Sequence, residues 1–215
     1  MIEPLTKKTE IGEKTETRRL LKINPESKFS HIDTPGFLYK GDNKNGDPIE
    51  IEKPLVAWFD GEFYFEKFGW LDHAGFTPRY NIGEVVYIKE PYCFDAMGRL
   101  KYKYLMPPED RKFFKWKNKL FMPAKHARLH IKILDIKVER FTDISLESLK
   151  KEGMFDLPLG LPKKKQYVAL SKELPKLLYC LDHYCFFQLI KNLNPKTPLN
   201  SWCWVYCYER IQLPK

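Results

Sequence analysis

Apolar and polar positions alternate most clearly over residues 127–141. Leu129, Ile131 and Ile133 share one parity, whereas Leu134, Ile136 and Val138 share the other. A strand has a period of two, so the change at Leu134 predicts a bulge or bend, the device by which a small barrel turns a corner. Residues 85–90 follow the turn residues Asn81 and Gly83 and predict a buried strand, which Pro91 ends or sets at a sheet edge. Residues 202–209, from Trp202 to Glu209, are rich in strand formers and predict the strand that closes the sheet. Helical spacing is confined to two stretches. Ser145 caps a short helix over residues 146–151, with Gly153 as its stop. Ser171 caps a longer one in which Leu174, Leu178, Leu181, Cys185 and Leu189 recur at helical intervals, with Pro175 tolerated in the first turn.

Elsewhere the pattern is broken. Residues 22–80 carry loop signals (NPES at 24–27, DTPG at 33–36, GDNKNGDP at 41–48) between short aromatic stretches. Asp60-Gly61 joins Trp58-Phe59 to Phe63-Tyr64-Phe65 and reads as a hairpin turn. Residues 100–121 mix aromatics and lysines without periodicity. The elements add up to an α+β fold: a small, bent, mainly antiparallel sheet with flanking helices. Residues 1–215 read as a single domain, with 23–80 as a strand-and-loop insertion.

Composition supports a core: 43% of residues are hydrophobic and 15% aromatic. No run of about 18 apolar residues occurs, so no membrane-spanning helix is expected, and the polar start does not resemble a secretory signal. A cytoplasmic protein is the expectation. Five cysteines, Cys93, Cys180, Cys185, Cys203 and Cys207, point to reduced thiols rather than a disulfide framework. Cys180, Cys185, Cys203 and Cys207 with His183 also raise a zinc site, but the spacings are not those of a zinc knuckle. Cys203 and Cys207 would lie about 13 Å apart along a strand. The expectation is therefore no metal. A net charge of +9 suits a polyanionic partner.

The densest polar constellation runs from Gly12 to Arg19. Lys14 and Thr17 are three residues apart and would share a face on a helical turn. A lysine beside a hydroxyl acts as general base when burial and neighbouring cations depress its pKa, and Arg18 or Arg19 supplies the neighbouring charge. Both arginines also offer forked donors to phosphate. The competing reading is a solvated turn in which Glu13 and Glu16 balance the cations. Glu152 follows Leu146 and Leu149 at intervals of three, on the inward face of the short helix, where the helix dipole and desolvation favour a protonated acid. A frayed helix end pointing Glu152 to water is the alternative. The interleaved segment from Arg111 to Lys119 suits base stacking with lysines along phosphates. It equally suits a strand pair with aromatics inward and lysines outward.

These residues resemble a known family. Gly12-x-Lys14-x-x-Thr17-x-Arg19 is similar to the G-x-K-x-x-T-x-R signature of the ASCH domain, within the PUA-like superfamily. The chain looks most like ASCH proteins encoded by phages and prophages. Further similar segments are Lys14–Arg19 followed by Pro25; residues 83–90, ending Lys89-Glu90; Trp116 and Met122-Pro123 with Arg128 opening the next strand; Arg140, Asp143-Ile144-Ser145 and Glu152-Gly153; and Trp204-Val205-Tyr206-Cys207-Tyr208. The resemblance implies a PUA-like β-barrel that recognises RNA or a modified nucleoside in a cleft over the signature loop. One small bacterial member removes the acetyl group from N4-acetylcytidine, and others are reported ribonucleases. By resemblance, Lys14 is the base, Thr17 the nucleophile and Glu152 the proton donor. Arg18, Arg19, Lys89, Glu90 and Arg128 become the candidates for holding nucleic acid or substrate, with no cofactor. A binding module without turnover and a ribonuclease are the rival readings. Residues 23–80 have no counterpart in the family pattern, and the polar start replaces the family's longer apolar helix.

Overall fold

The structure, a computed structural model, describes residues 3–64, 71–153, 186–187, 190–191 and 195–213. It opens with a helix the sequence pattern does not predict, α1 (Glu3–Glu10), mostly polar, with Thr6 and Thr9 buried. Strand β1 (Glu16–Leu20) follows. Five strands occupy the insertion: β2 (Lys28–Asp33), β3 (Gly36–Asp42), β4 (Pro48–Lys53), β5 (Val56–Tyr64) and β6 (Leu71–Phe76). Then come β7 (Val85–Tyr87), β8 (Tyr92–Phe94), β9 (Leu100–Tyr102), a series of short 3-10 turns, β10 (His130–Arg140), helix α2 (Leu146–Lys151) and β11 (Trp202–Ile211).

The architecture is mostly antiparallel sheet with few helices. The largest sheet has the order β1-β11-β10-β7; β2-β5-β6 form a second, and β3-β4 and β8-β9 are two-stranded. Among the described residues these sheets form no closed barrel. No described helix is long and apolar enough to cross a membrane.

The predicted bulge is present. The register of β10 against β11 shifts between Ile133 and Asp135, which leaves Leu134 as the extra, exposed residue. Because the bulge absorbs one position, Ile131 and Ile133 before it and Ile136 and Val138 after it all reach the same core. Helix α2 likewise forms where expected. Ser145 Oγ accepts from Ser148 N at 3.1 Å, and Gly153 ends the helix at φ 79°, a left-handed conformation that suits a residue without Cβ.

Other expectations are corrected. Asp60-Gly61 is no hairpin turn: β5 runs through it, and the register with β6 shifts between Asp60 and Phe63. A bulge uses the same turn-prone residues to bend a strand without ending it. The 85–90 segment forms a strand of three residues at the sheet edge, one of the two outcomes Pro91 suggested, but it is not buried: Val85 is exposed. Residues 202–211 occupy the interior of the main sheet, between β1 and β10, and so do not close it. Of the longer predicted helix, only Phe186, Phe187, Ile190 and Lys191 are described, and all four are helical; the rest of it lies outside the described residues.

The main sheet is covered on both faces. One carries Trp204, Tyr206 and Tyr208 of β11 with Leu55, Ala57 and Phe59 of the insertion in a single apolar cluster. The other carries Cys203 and Val205 against Leu149 of α2, Phe186, Phe187 and Ile190. This second layer holds α2, and with it Glu152, against the sheet.

Candidate active site at the start of the first strand

Gly12 ends α1 with φ 82°, which turns the chain so that Lys14 N donates to Lys8 O at 3.1 Å. Thr15 N then donates to Lys151 O at 2.8 Å and Thr15 O accepts from Tyr208 N at 2.8 Å. Lys14 is thereby fixed between α1, the end of α2 and β11. Residues 16–20 form a strand and not the helical turn expected from spacing. They pair with β11, Glu16 opposite Cys207 through Leu20 opposite Cys203, a partnership that no local pattern contains.

Lys14 and Glu152 are in direct contact. Lys14 Nζ, 1% exposed, donates to Glu152 Oε1 at 2.8 Å, Glu152 O at 2.8 Å and Glu16 O at 2.6 Å. Burial lowers the Lys14 pKa against the opposing pull of Glu152, and the charges of Arg18 and Arg19 lower it further. The other oxygen of Glu152 accepts from Arg18 Nη1 at 2.9 Å, while Arg18 Nε donates to Glu139 Oε1 at 2.6 Å and Nη2 to Glu16 Oε2 at 3.3 Å. Burial opposes the charge on Arg18, but Glu152 and Glu139 outweigh it and raise its pKa. Both oxygens of Glu152 thus meet cations, not the water of a frayed helix end. Leu146, expected to point inward, is exposed, and Leu149 alone anchors α2. The solvated-turn reading fails here as well: Lys14, Glu16 and Arg18 are buried, while Glu13 pairs with Lys8 at the surface.

Strand alternation separates Thr17 and Arg19 from this cluster. Directly paired residues share a face. Thr17 is opposite Tyr206 and Arg19 opposite Trp204, whereas Glu16 and Arg18 are opposite Cys207 and Val205. Thr17 is half-buried and Arg19 exposed. No hydrogen bond among the described residues joins Thr17 Oγ1 to Lys14 or Glu152. Lys14 precedes the strand, at its edge, where it feels the charges of both Arg18 and Arg19.

The Thr17 face carries two buried phenols. Tyr208 Oη lies 3.2 Å from Thr9 Oγ1, and Tyr206 Oη accepts from Arg79 N at 2.9 Å. Burial pushes both above the ordinary tyrosine range. A folded-state pKa above the unfolded one gives stability that is complete below pH ~10 and falls away as the pH climbs further. In an alkaline titration followed by phenolate absorbance, these two phenols should ionise later than the exposed tyrosines. One uniform step for all twelve tyrosines would contradict this burial.

A second charged cluster gathers two more candidates. Arg128 Nη2 donates to Glu90 Oε1 at 2.8 Å and Nη1 to Glu10 Oε1 at 2.5 Å. Its Nε lies 2.7 Å from Glu90 Oε2, off the hydrogen-bond axis, so charge alone joins that pair. Burial raises the pKa of Glu90 despite Arg128, with Glu10 adding to the rise. Arg128 also sits 5.5 Å from the centre of the Tyr102 ring. Lys89 is not part of this cluster; it is exposed and donates to Leu120 O at 2.9 Å.

Sequence reasoning missed three members of these clusters: Glu139, Glu10 and the buried role of Glu16. The bulge does place Glu139 on the face opposite Ile136 and Val138, but nothing in its spacing pairs it with Arg18. Of the cysteines, Cys203 is buried, its thiol pushed well up by burial, and donates to Glu139 O at 3.3 Å. Cys180, His183 and Cys185 lie outside the described residues. The segment from Arg111 to Lys119 is no strand pair: a 3-10 turn spans Asp110–Phe113, and only an isolated bridge joins Lys117 to Tyr92. No family model, curated protein or solved structure matches the chain.

Proposed function

We propose that the chain recognises RNA or a modified nucleoside beside β1, and that Lys14 and Glu152 supply the proton transfers for hydrolysing an N4-acyl cytidine amide. The observation that carries this reading is the 2.8 Å contact between an amine of lowered pKa and a carboxylate 138 positions away. Such a pair can exchange one proton, which creates a neutral amine and a carboxylic acid together. Lys14 then takes the proton of Thr17 Oγ1 as that oxygen attacks the acyl carbon. Glu152 protonates the departing exocyclic amine, and water releases the acyl group from Thr17. For this, Lys14 must give up one of its three acceptors and reach round the start of β1 to the face that carries Thr17. Arg19 is the phosphate ligand in this reading, because each nitrogen of Arg18 already faces a carboxylate. The accompanying fold reading is a PUA-like barrel, supported by the antiparallel main sheet bent at Leu134.

A second reading, binding without turnover, is favoured by one specific observation: the three protons of the Lys14 ammonium all have acceptors. The experiment is incubation with N4-acetylcytidine and with single-stranded RNA, following acetate release and strand scission. Acetate release should fall at least ~100-fold in Thr17→Val and Lys14→Met. Salt-sensitive RNA binding without acetate release would leave the second reading, and scission alone would indicate a ribonuclease.

A further inference from the structure

Between Arg111 and Lys125 the chain carries six basic residues and no acid. Phe114 and Trp116 are half-buried, with rings 5.7 Å apart, and Trp116 Nε1 donates to Arg111 O at 2.9 Å. Two other rings of the segment face outward: Phe113 is 73% exposed and Phe121 79%. Exposed rings set in a run of cations without an acid suit a polyanionic partner that can also stack.

The cations lie along the rings. Lys117 Nζ is 5.3 Å from the centre of the half-exposed Phe94 ring, and Lys112 Nζ is 5.1 Å from that of Phe113. Asn118 Oδ1 caps the turn that presents Phe121, and Lys89 is held beside that turn through Leu120 O. None of Lys89, Lys112 and Lys117 has an ion-pair partner among the described residues. Asp95, the acid next to Phe94, is occupied by Arg99 and Lys101. Lysine is depleted from protein–protein interfaces, whereas aromatic faces interleaved with cations suit stacked bases and their phosphates.

We infer that Phe94, Phe113 and Phe121 with Lys89, Lys112 and Lys117 form a surface that holds single-stranded nucleic acid. The rings stack unpaired bases, the ammonium groups follow the phosphates, and a duplex, whose bases are already stacked, gains only the charge contribution. This surface is distinct from the Lys14–Glu152 site and stands whether or not that site turns over a substrate.

Fluorescence anisotropy with labelled oligouridylate, and with duplex RNA of equal length, tests the inference. Phe113→Ala and Phe121→Ala should each weaken oligouridylate binding about tenfold, with Phe121→Trp restoring it. Lys117→Ala or Lys112→Ala should flatten the log–log salt dependence by about 0.7. These positions are exposed, so the variants should keep the parent's thermal midpoint. Unchanged affinity in both phenylalanine variants would overturn the inference, as would equal affinity for duplex. A changed sedimentation profile in place of a changed affinity would overturn it in favour of a protein interface. Acetate release from N4-acetylcytidine should be untouched by all of these variants, so failure here and failure of the hydrolytic reading are told apart.

Discussion

Replacing Glu152 by Gln should cost the fold about 3–5 kcal/mol, the range for removing one partner of a buried ion pair. The glutamine keeps the shape and removes the charge that both Lys14 and Arg18 meet. Arg18 retains Glu139 and Glu16, but Lys14 retains only neutral acceptors, two backbone carbonyls and the amide oxygen, and no opposing charge. The loss is large against the roughly 5–15 kcal/mol that holds most domains together. It should appear as a lower urea midpoint with an unchanged slope. The sign of the pH effect follows from Lys14. A lysine whose folded-state pKa lies below its unfolded one opposes folding at neutral pH, and that cost eases as the pH rises from the folded value towards about 10.4. Glu152→Gln should therefore be most harmful at neutral pH and recover part of its loss in mild alkali. Adding Lys14→Met should rescue part of the loss as well, since no unpaired ammonium then remains. A midpoint equal to the parent's would mean that water, not Glu152, supports these cations.

Phe59→Ala should be about as damaging, by roughly 3–5 kcal/mol, for a different reason. Phe59 belongs to the insertion and is fully buried. Its ring meets Phe29 at 5.6 Å, Phe76 at 5.8 Å and Trp202 of the main sheet at 5.4 Å. Trp202 is itself pinned by Arg140, 4.2 Å over its ring, and by Ser27 O, which accepts from its Nε1 at 2.9 Å. Deleting the Phe59 ring opens a cavity at the seam between two sheets. The variant should unfold in one transition at a lower midpoint, with tryptophan fluorescence and far-ultraviolet circular dichroism coincident. Two separated transitions would show that residues 28–76 hold together without the main sheet.

What was legible in the sequence was local. The parity change at Leu134, the Ser145 cap and the Gly153 stop each rest on neighbours within a few positions, and each is where the pattern put it. The strand at residues 16–20 was not legible, because its fate is decided by β11 nearly the whole chain away. The same holds for α1, whose polar sequence gives no apolar stripe and whose Thr9 finds its partner in Tyr208. For the candidate site, spacing pointed to Lys14 and Glu152 separately, and only the fold joins them. Spacing also tied Lys14 to Thr17 through a helical turn, and the observed strand withdraws that reason.

The extra residue in β10 has a consequence for variation in chain length. Losing Leu134 would leave Ile131, Ile133, Ile136 and Val138 in plain alternation, all still directed at the same interior, while the strand straightened. Losing Lys137 instead would make Ile136 and Val138 adjacent and send one of them outward. Shortened forms of this strand are therefore expected to tolerate a gap at 134 and to surrender curvature before they surrender the isoleucines' company.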